Sequence, residues 1–150
     1  MLKITVIAVG KLKERFWKDA CAEYLKRLGG YAHVTVREVP DSSIEREARA
    51  LESALDALGA DVRIILLDIR GTETSSEQLA RKLDNLAIDG VSHVAFVIGG
   101  SDGVASSVKA RAHDCLSFGP ITLPHNLARV VLLEQIYRAC KINRGEPYHK

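Results

Sequence analysis

The last three residues of the sequence, Tyr148, His149 and Lys150, set a phenol, an imidazole and an ammonium side by side. Such groups bind bases and anions or move protons, and an imidazole with an ordinary pKa of about 6.5 accepts a proton near neutrality. A disordered end more often runs out in small polar residues. Elsewhere the reactive side chains are scattered. Asp68 and Asp102 each follow an apolar run, where a carboxylate either meets a ligand or, more often, caps a helix or accepts hydrogen bonds within a loop. His113 precedes Asp114 at a helix end, which favours an imidazole whatever its role. His125 follows Pro124 where a helix opens, so capping and ligand roles compete there. His33 and His93 fall in strands and read as structural or solvated. There is no G-x-S-x-G elbow, H-E-x-x-H pair, G-x-G-x-x-G turn or G-x-x-x-x-G-K-[ST] loop.

These groups are carried by an alternation of strand-like and helix-like segments. "LKITVIAV" (2–9) is a strand closed by Gly10, and "ERFWKDACAEYLKRLGG" (14–30) places Phe16, Trp17, Ala20, Tyr24, Leu25 and Leu28 at helical spacing. "AHVTVREV" (32–39) alternates as a strand with one polar face and stops at Pro40. Residues 41–59 form a helix, with Ser42 three residues before Glu45 in a capping-box pattern. "VRIILLDI" (62–69) and "HVAFVIGG" (93–100) are nearly continuous apolar strands of the kind buried on both faces of a parallel sheet. Between them Ser75 precedes Gln78 by three and opens another helix. A short helix (about 104–113), a short strand (114–118) and a long helix (about 125–141) complete the series. The expectation is a single α/β domain over residues 1–150, a mainly parallel sheet flanked by helices.

The long helix is apolar around much of its circumference: Leu127, Val130, Val131, Leu132, Leu133, Ile136, Tyr137, Ala139 and Cys140. Packing on one sheet face needs only a stripe. The excess calls for cover on a second side, so a homodimer is expected.

Composition bounds the class. The 150 residues are 47 % hydrophobic and 27 % charged, as in a globular protein with a real core. No apolar run approaches the roughly 20 residues of a membrane span, and the short apolar opening is followed by "KLKER", unlike a signal peptide. A cytoplasmic protein with no membrane association is expected. The odd cysteine count (Cys21, Cys115, Cys140), without C-x-x-C or Cys/His spacing, points to buried thiols and no metal. Net charge is only +2, yet residues 1–27 carry seven Lys/Arg against three acids and residues 129–150 five against two. If the two basic ends meet, they form a patch suited to phosphates.

Ligands of open α/β sheets bind beyond the carboxyl ends of the strands. Three loops qualify: "DIRGTETSS" (68–76), "IGGSDG" (98–103) and "FGPITLP" (118–124). The glycines of the second let a ligand approach backbone amides. A tight strand–helix connection explains them equally well, and the residues alone do not reach a reaction.

The assembled motifs do more. "FVIGGSDG" (96–103), "TLPHNLARVVLLEQIYRACKINRGEPYHK" (122–150), the opening "ITVIAVGK" and the strand end "LLDIRG" (66–71) resemble, over essentially the whole chain, the RlmH family of SPOUT-class methyltransferases. The resemblance implies an α/β fold whose C-terminal part is tied in a trefoil knot, which the usual topology rules would not predict. It implies S-adenosylmethionine (S-adenosyl-L-methionine) as cofactor and methylation of N3 of a pseudouridine in large-subunit (23S) rRNA. Carried over by position, Leu67, Gly99 and the run Phe118, Gly119, Pro120, Ile121, Thr122 and Leu123 hold the cofactor, with Leu67, Ile121 and Leu123 as apolar walls for adenine. Relatives commonly have a serine where this chain has Gly119, and Pro120 offers no N–H.

The imide N3 is a poor nucleophile until its proton leaves, so the reaction needs a base, a nearby cation or both. His149 is the candidate base, with a purely electrostatic role as its rival. Arg129 or Lys150 would stabilise the anion or hold a phosphate, and Tyr148 would stack on or hydrogen-bond a base. The tail is expected to complete the site at the dimer interface. So few cations would hold naked RNA weakly, which points to rRNA within the ribosome as partner. A non-catalytic RNA- or ribosome-binding module on the same fold, and an unrelated Rossmann-like nucleotide enzyme, are the competing readings.

Overall fold

The computed structural model describes residues 1–148. His149 and Lys150, and with them the expected base, lie outside the described residues. Five strands form one parallel sheet in the order β2-β1-β4-β3-β5: β1 (Lys3–Val9), β2 (His33–Val39), β3 (Arg63–Glu73), β4 (His93–Ile98) and β5 (Asp114–Ser117). The helices are α1 (Arg15–Leu28), α2 (Ile44–Asp56), α3 (Ser76–Ile88), α4 (Ser106–Lys109) and α5 (His125–Asn143).

Side chains of a strand alternate between faces, and the two cores follow that period. Ile4, Val6, Ala8, Val94, Phe96 and Ile98 turn to the face covered by α1, α3 and α5. Ile7, Val9, Ala95, Val97, Ile64 and Leu66 turn to the face covered by α2 and α4. The central strands β1 and β4 are buried along almost their whole length, whereas the edge strand β2 alternates exposed and half-buried residues. Continuous apolar runs therefore marked the middle of the sheet and alternation its edge.

Helix starts follow local chemistry. The Ser75 hydroxyl accepts the Gln78 N–H while the Gln78 side chain accepts the Ser75 N–H, completing the expected box. In α2 the expected Ser42–Glu45 box does not form, and the cap falls one residue later. Ser43 caps the helix by accepting the Arg46 N–H, and the buried Glu47 reaches back to the Ser42 N–H at 2.8 Å. The reason is burial: Glu47, Ala48 and Leu51 must face the sheet, which fixes where the first turn begins.

β3 runs on to Glu73, beyond the expected end at Ile69, because it contacts β5 twice. Leu116 of β5 is registered with Leu67 and again with Thr72, and the four residues between them bulge out of the ladder. Gly71, in that bulge, lies so close to β5 that a Cβ there would stand 2.7 Å from the Cys115 carbonyl carbon and oxygen. α4 is one short turn rather than the expected ten residues, since only Val108 is apolar enough to bury. α5 packs against α1 and α3 through Leu132, Leu133, Ile136 and Ala139, while Leu127 and Val131, on its opposite face, are half-buried.

Candidate functional site

All three loops predicted to carry chemistry converge at the carboxyl end of the sheet, around a cavity of about 710 Å³. That volume falls within the range of small-molecule sites, roughly 300–1,000 Å³. Leu67, Gly99, Phe118, Gly119, Ile121, Thr122 and Leu123 line it; Pro120 does not. Ile98, Leu116 and Val104 add apolar wall. Ile69 and Ile121 stand at 52 % and 74 % exposure, large apolar side chains held in water at its edge.

Backbone geometry makes the space. A Cβ on Gly99 would fall 2.6 Å from Val104 Cγ1, so the glycine loop closes on itself only because this position has no side chain. Gly119 sits at φ 110°, in the region that disfavours side chains. Its N–H donates to the Ser117 hydroxyl at 3.0 Å, and that hydroxyl donates toward the carbonyls of Ile69 and Gly119. Ser117 is 1 % exposed, so one buried hydroxyl ties the loop after β5 to the bulge of β3. Sequence reading missed Ser117; a lone serine ending a short strand carries no signal of such a role.

Asp68 lines the cavity as a loop acceptor. The Arg70 backbone N–H at 3.0 Å, with Lys109 Nζ at 3.4 Å beside it, holds its carboxyl below the usual aspartate range. Lys109, not foreseen, is thereby fixed at the cavity wall. Asp102 does not line the cavity; after burial and Asp41, its charge adds to raising the pKa of Glu47. The two aspartates thus serve different surroundings. The remaining histidines divide clearly. His93 bonds to the Thr5 hydroxyl at 2.8 Å and burial lowers its pKa; His113 pairs with the Ile64 backbone through both its N–H and its ring Nδ1. Both are structural. His125 lines the cavity at the start of α5.

Arg129, one turn beyond His125, is 3 % exposed and does not line this cavity. Its guanidinium donates to Glu38 Oε2 at 2.6 Å and to the Gly10 carbonyl at 3.0 Å, joining the ends of β1 and β2 to the first turn of α5. In this arrangement it positions backbone.

The tail lies at the opposite end of the helix. Tyr148 meets Tyr137 edge-on at 5.0 Å and lies beneath the Arg138 guanidinium at 4.4 Å. Burial, then the hydrogen bond to the Glu134 carboxylate, push its phenol up to about 12, so it stays protonated at neutral pH. Upstream, Glu146 accepts from the Tyr31 hydroxyl at 2.6 Å and pairs with Lys141, while Arg144 donates to the Gly30 carbonyl. The backbone through Tyr148 is therefore fastened to α5 and to the turn that follows α1. From Tyr137 back to His125 is twelve residues, or about 18 Å of helix. Within one chain, Tyr148 and the cavity are held apart.

Comparison with known proteins gives a consistent answer. A family model described as "Predicted SPOUT methyltransferase" matches residues 2–149. Ribosomal RNA large subunit methyltransferase H of Bacillus thuringiensis (strain Al Hakam) is 49 % identical over an alignment 159 positions long, covering 99 % of this chain and 100 % of that protein; the protein of the same name from Bacillus cytotoxicus matches equally. In fold, the chain is similar to a probable methylase family protein from Haemophilus influenzae (TM-score 0.57, 16 % identity, 99 % of this chain and 70 % of that one). It is also similar to the SpoU methyltransferase AviRb from Streptomyces viridochromogenes, solved with AdoMet (TM-score 0.51, 14 % identity, 95 % and 58 % covered).

Proposed function

The chain belongs to the SPOUT methyltransferase family, and from that premise we propose that it methylates large-subunit rRNA with S-adenosylmethionine, at N3 of a pseudouridine and on the assembled ribosome. The observation that carries this reading is the 710 Å³ cavity built by the three loops, in a chain 49 % identical along its length to proteins named for large-subunit rRNA methylation.

The cavity's chemistry fits the cofactor. Leu67, Ile121 and Leu123 offer apolar walls to adenine, and the backbone of the glycine loop and of 118–123 offers N–H and C=O groups to its edge. Without the side chain that relatives carry at 119, these contacts come from backbone, which the φ of Gly119 and the Ser117 hydroxyl hold in place. When bound, the cofactor supplies a methyl group on a cationic sulfonium. Lining the cavity, Asp68 offers negative charge with its oxygens already engaged by Arg70 and Lys109, which suits a cation without presenting it a free nucleophile.

The acceptor must be deprotonated and aligned. Alignment of the two reactants supplies most of the rate, because near-attack placement alone is worth about 7–11 kcal/mol. We assign the base, or the charge that favours the imide anion, to His149, with Tyr148 donating to or stacking on the acceptor and Lys150 near phosphate. Since Tyr148 is fastened some 18 Å of helix from its own cavity, these groups act on the cavity of a second copy. The homodimer is proposed to pack through the outer column of α5, which runs from Leu127 and Val131 past Glu134 to Arg138 and Tyr148. Arg129 then contributes by holding the loops rather than by touching the acceptor. The β3 bulge around Leu116 is read as the loop through which the C-terminal part is threaded as a trefoil knot. Cytoplasmic placement follows from a ribosomal substrate; among the described residues no helix is long and apolar enough to cross a membrane.

The test incubates the protein with labelled S-adenosylmethionine and ribosomes lacking the modification, then locates the methyl group by mass spectrometry of the rRNA digest. A methyl on N3 of a pseudouridine is expected. Tight cofactor binding without transfer would refute the choice of RNA, and absence of both would favour a ribosome-binding module. Comparable rates on naked rRNA and on ribosomes would overturn the assembled substrate.

A further inference from the structure

A second cavity, of about 660 Å³, opens where β1 and β2 end. Lys11 and Lys13 line it with Gly10, Asn126 and three carboxylates, Glu38 and the exposed, solvated Glu14 and Asp41, and His125 lines both this cavity and the first. The imidazole is therefore a shared wall. It lies close to Gly10, where a Cβ would stand 3.5 Å from His125 Nε2. Arg129, one turn along, holds Gly10 and Glu38 from behind.

The lining has the parts that a nucleotide needs. Lys11 and Lys13 are exposed, and neither forms an ion pair among the described residues, so both ammonium groups can meet phosphate. Glu38 is anchored through Oε2 alone, by Arg129 and the Leu12 N–H, and its side chain is 35 % exposed. Its Oε1 accepts no hydrogen bond among the described residues. A carboxylate oxygen fixed in this way selects a ring N–H and rejects a ring carbonyl. Pseudouridine carries a second ring N–H, at N1, where uridine carries its glycosidic bond.

We propose that this second cavity receives the acceptor nucleotide, with Lys11 and Lys13 on its backbone phosphate and Glu38 Oε1 accepting the N1–H of pseudouridine. For transfer the His125 imidazole between the two cavities has to turn aside, since N3 of the base must reach the methyl carbon directly. Glu38 is then the residue that tells pseudouridine from uridine. The inference rests on the methyltransferase reading and gives that reading a substrate pocket.

The test uses the full chain saturated with S-adenosylhomocysteine. Shifts at Leu67, Gly99 and Leu123 on adding that compound report the donor site by themselves, so failure there counts against the methyltransferase reading alone. Pseudouridine 5′-monophosphate and uridine 5′-monophosphate are then titrated to millimolar concentration, with amide resonances as readout. Shifts are expected at Gly10, Lys11, Glu38 and Asn126, with pseudouridine binding about fivefold or more tighter, as one charge-assisted hydrogen bond would give. Changing both lysines, Lys11→Ala with Lys13→Ala, weakens both nucleotides alike, and Glu38→Gln removes the preference while leaving uridine binding unchanged. Shifts confined to other residues, no shifts, or equal affinity for the two nucleotides overturn the proposal. Should Glu38→Gln unfold for want of a partner for Arg129, the lysine pair, on an exposed loop, still decides the pocket.

Discussion

The two ends of α5 carry opposite kinds of order. At its start, His125 and Arg129 stand where the ends of all five strands build cavity walls, and much of the geometry is backbone: a glycine loop, a positive φ, a bulge. At its end, Tyr137, Arg138 and the fastened Tyr148 are held by side chains, ring on ring and cation on ring. The first end is shaped to enclose something that arrives; the second presents groups outward. One helix about 28 Å long keeps them apart, so a catalytic role for both requires two chains. The difference teaches that the site is divided between donor binding and acceptor activation, and that each half can be damaged separately.

The largest effect should come from the tail. Removing residues 148–150 is expected to lower methyl transfer by about 10³-fold or more, as loss of a base and its neighbours does, while calorimetry shows unchanged S-adenosylmethionine affinity. Equal activity would return the tail to a passive end. The mirror change is Gly99→Val, which drives a side chain into Val104 and the Gly103 backbone. Cofactor affinity should fall about tenfold or more, read by the same calorimetry, with Tyr148 undisturbed.

Arg129→Met tests whether the first end is held from behind. Glu38 would keep some water while the Gly10 carbonyl lost its donor, so denaturant unfolding should show a loss of about 2 kcal/mol. The smallest effects are in pH dependence and separate two carboxylates at the same sheet end. Asp68 has a lowered pKa in the folded chain, so its contribution is complete above the unfolded aspartate value and lost as pH falls through the folded one. Glu47 has a raised pKa, so its contribution is complete below the unfolded glutamate value and lost as pH rises through the folded one. Melting curves between pH 3 and 7 (a range of about four units) should show Asp68→Asn losing under about 1 kcal/mol at the upper end, and Glu47→Gln unchanged or more stable there.

What could be read in advance follows the same division. Strand and helix order, the buried runs of β3 and β4 and the Ser75–Gln78 cap were legible because each is set by neighbours a few residues apart. The three loops and their glycines could be placed at the sheet's carboxyl end by topology rules, and the cavity-lining residues then came from family resemblance. Arg129 was not legible as a clamp, since its partners Glu38 and Gly10 are 91 and 119 residues away. Ser117 and the double registration of Leu116 depend equally on β5 entering beside the β3 bulge. Ser43, rather than Ser42, caps α2 because burial of Glu47 outweighs a local motif. The place of Tyr148 on its own helix could not be inferred from the motif it belongs to.

The central claim is that one copy's cavity works with the other copy's tail. It is tested most directly by a purified mixed dimer, one subunit lacking residues 148–150 and the other carrying Gly99→Val, assayed for methyl transfer to unmodified ribosomes. With S-adenosylmethionine held well below saturation, both parent homodimers are expected to be nearly inactive. The mixed dimer joins an intact cavity to an intact tail at one of its two sites, so about half of the wild-type rate should return. A mixed dimer as inactive as its parents would mean that each chain completes its own site, contradicting the account.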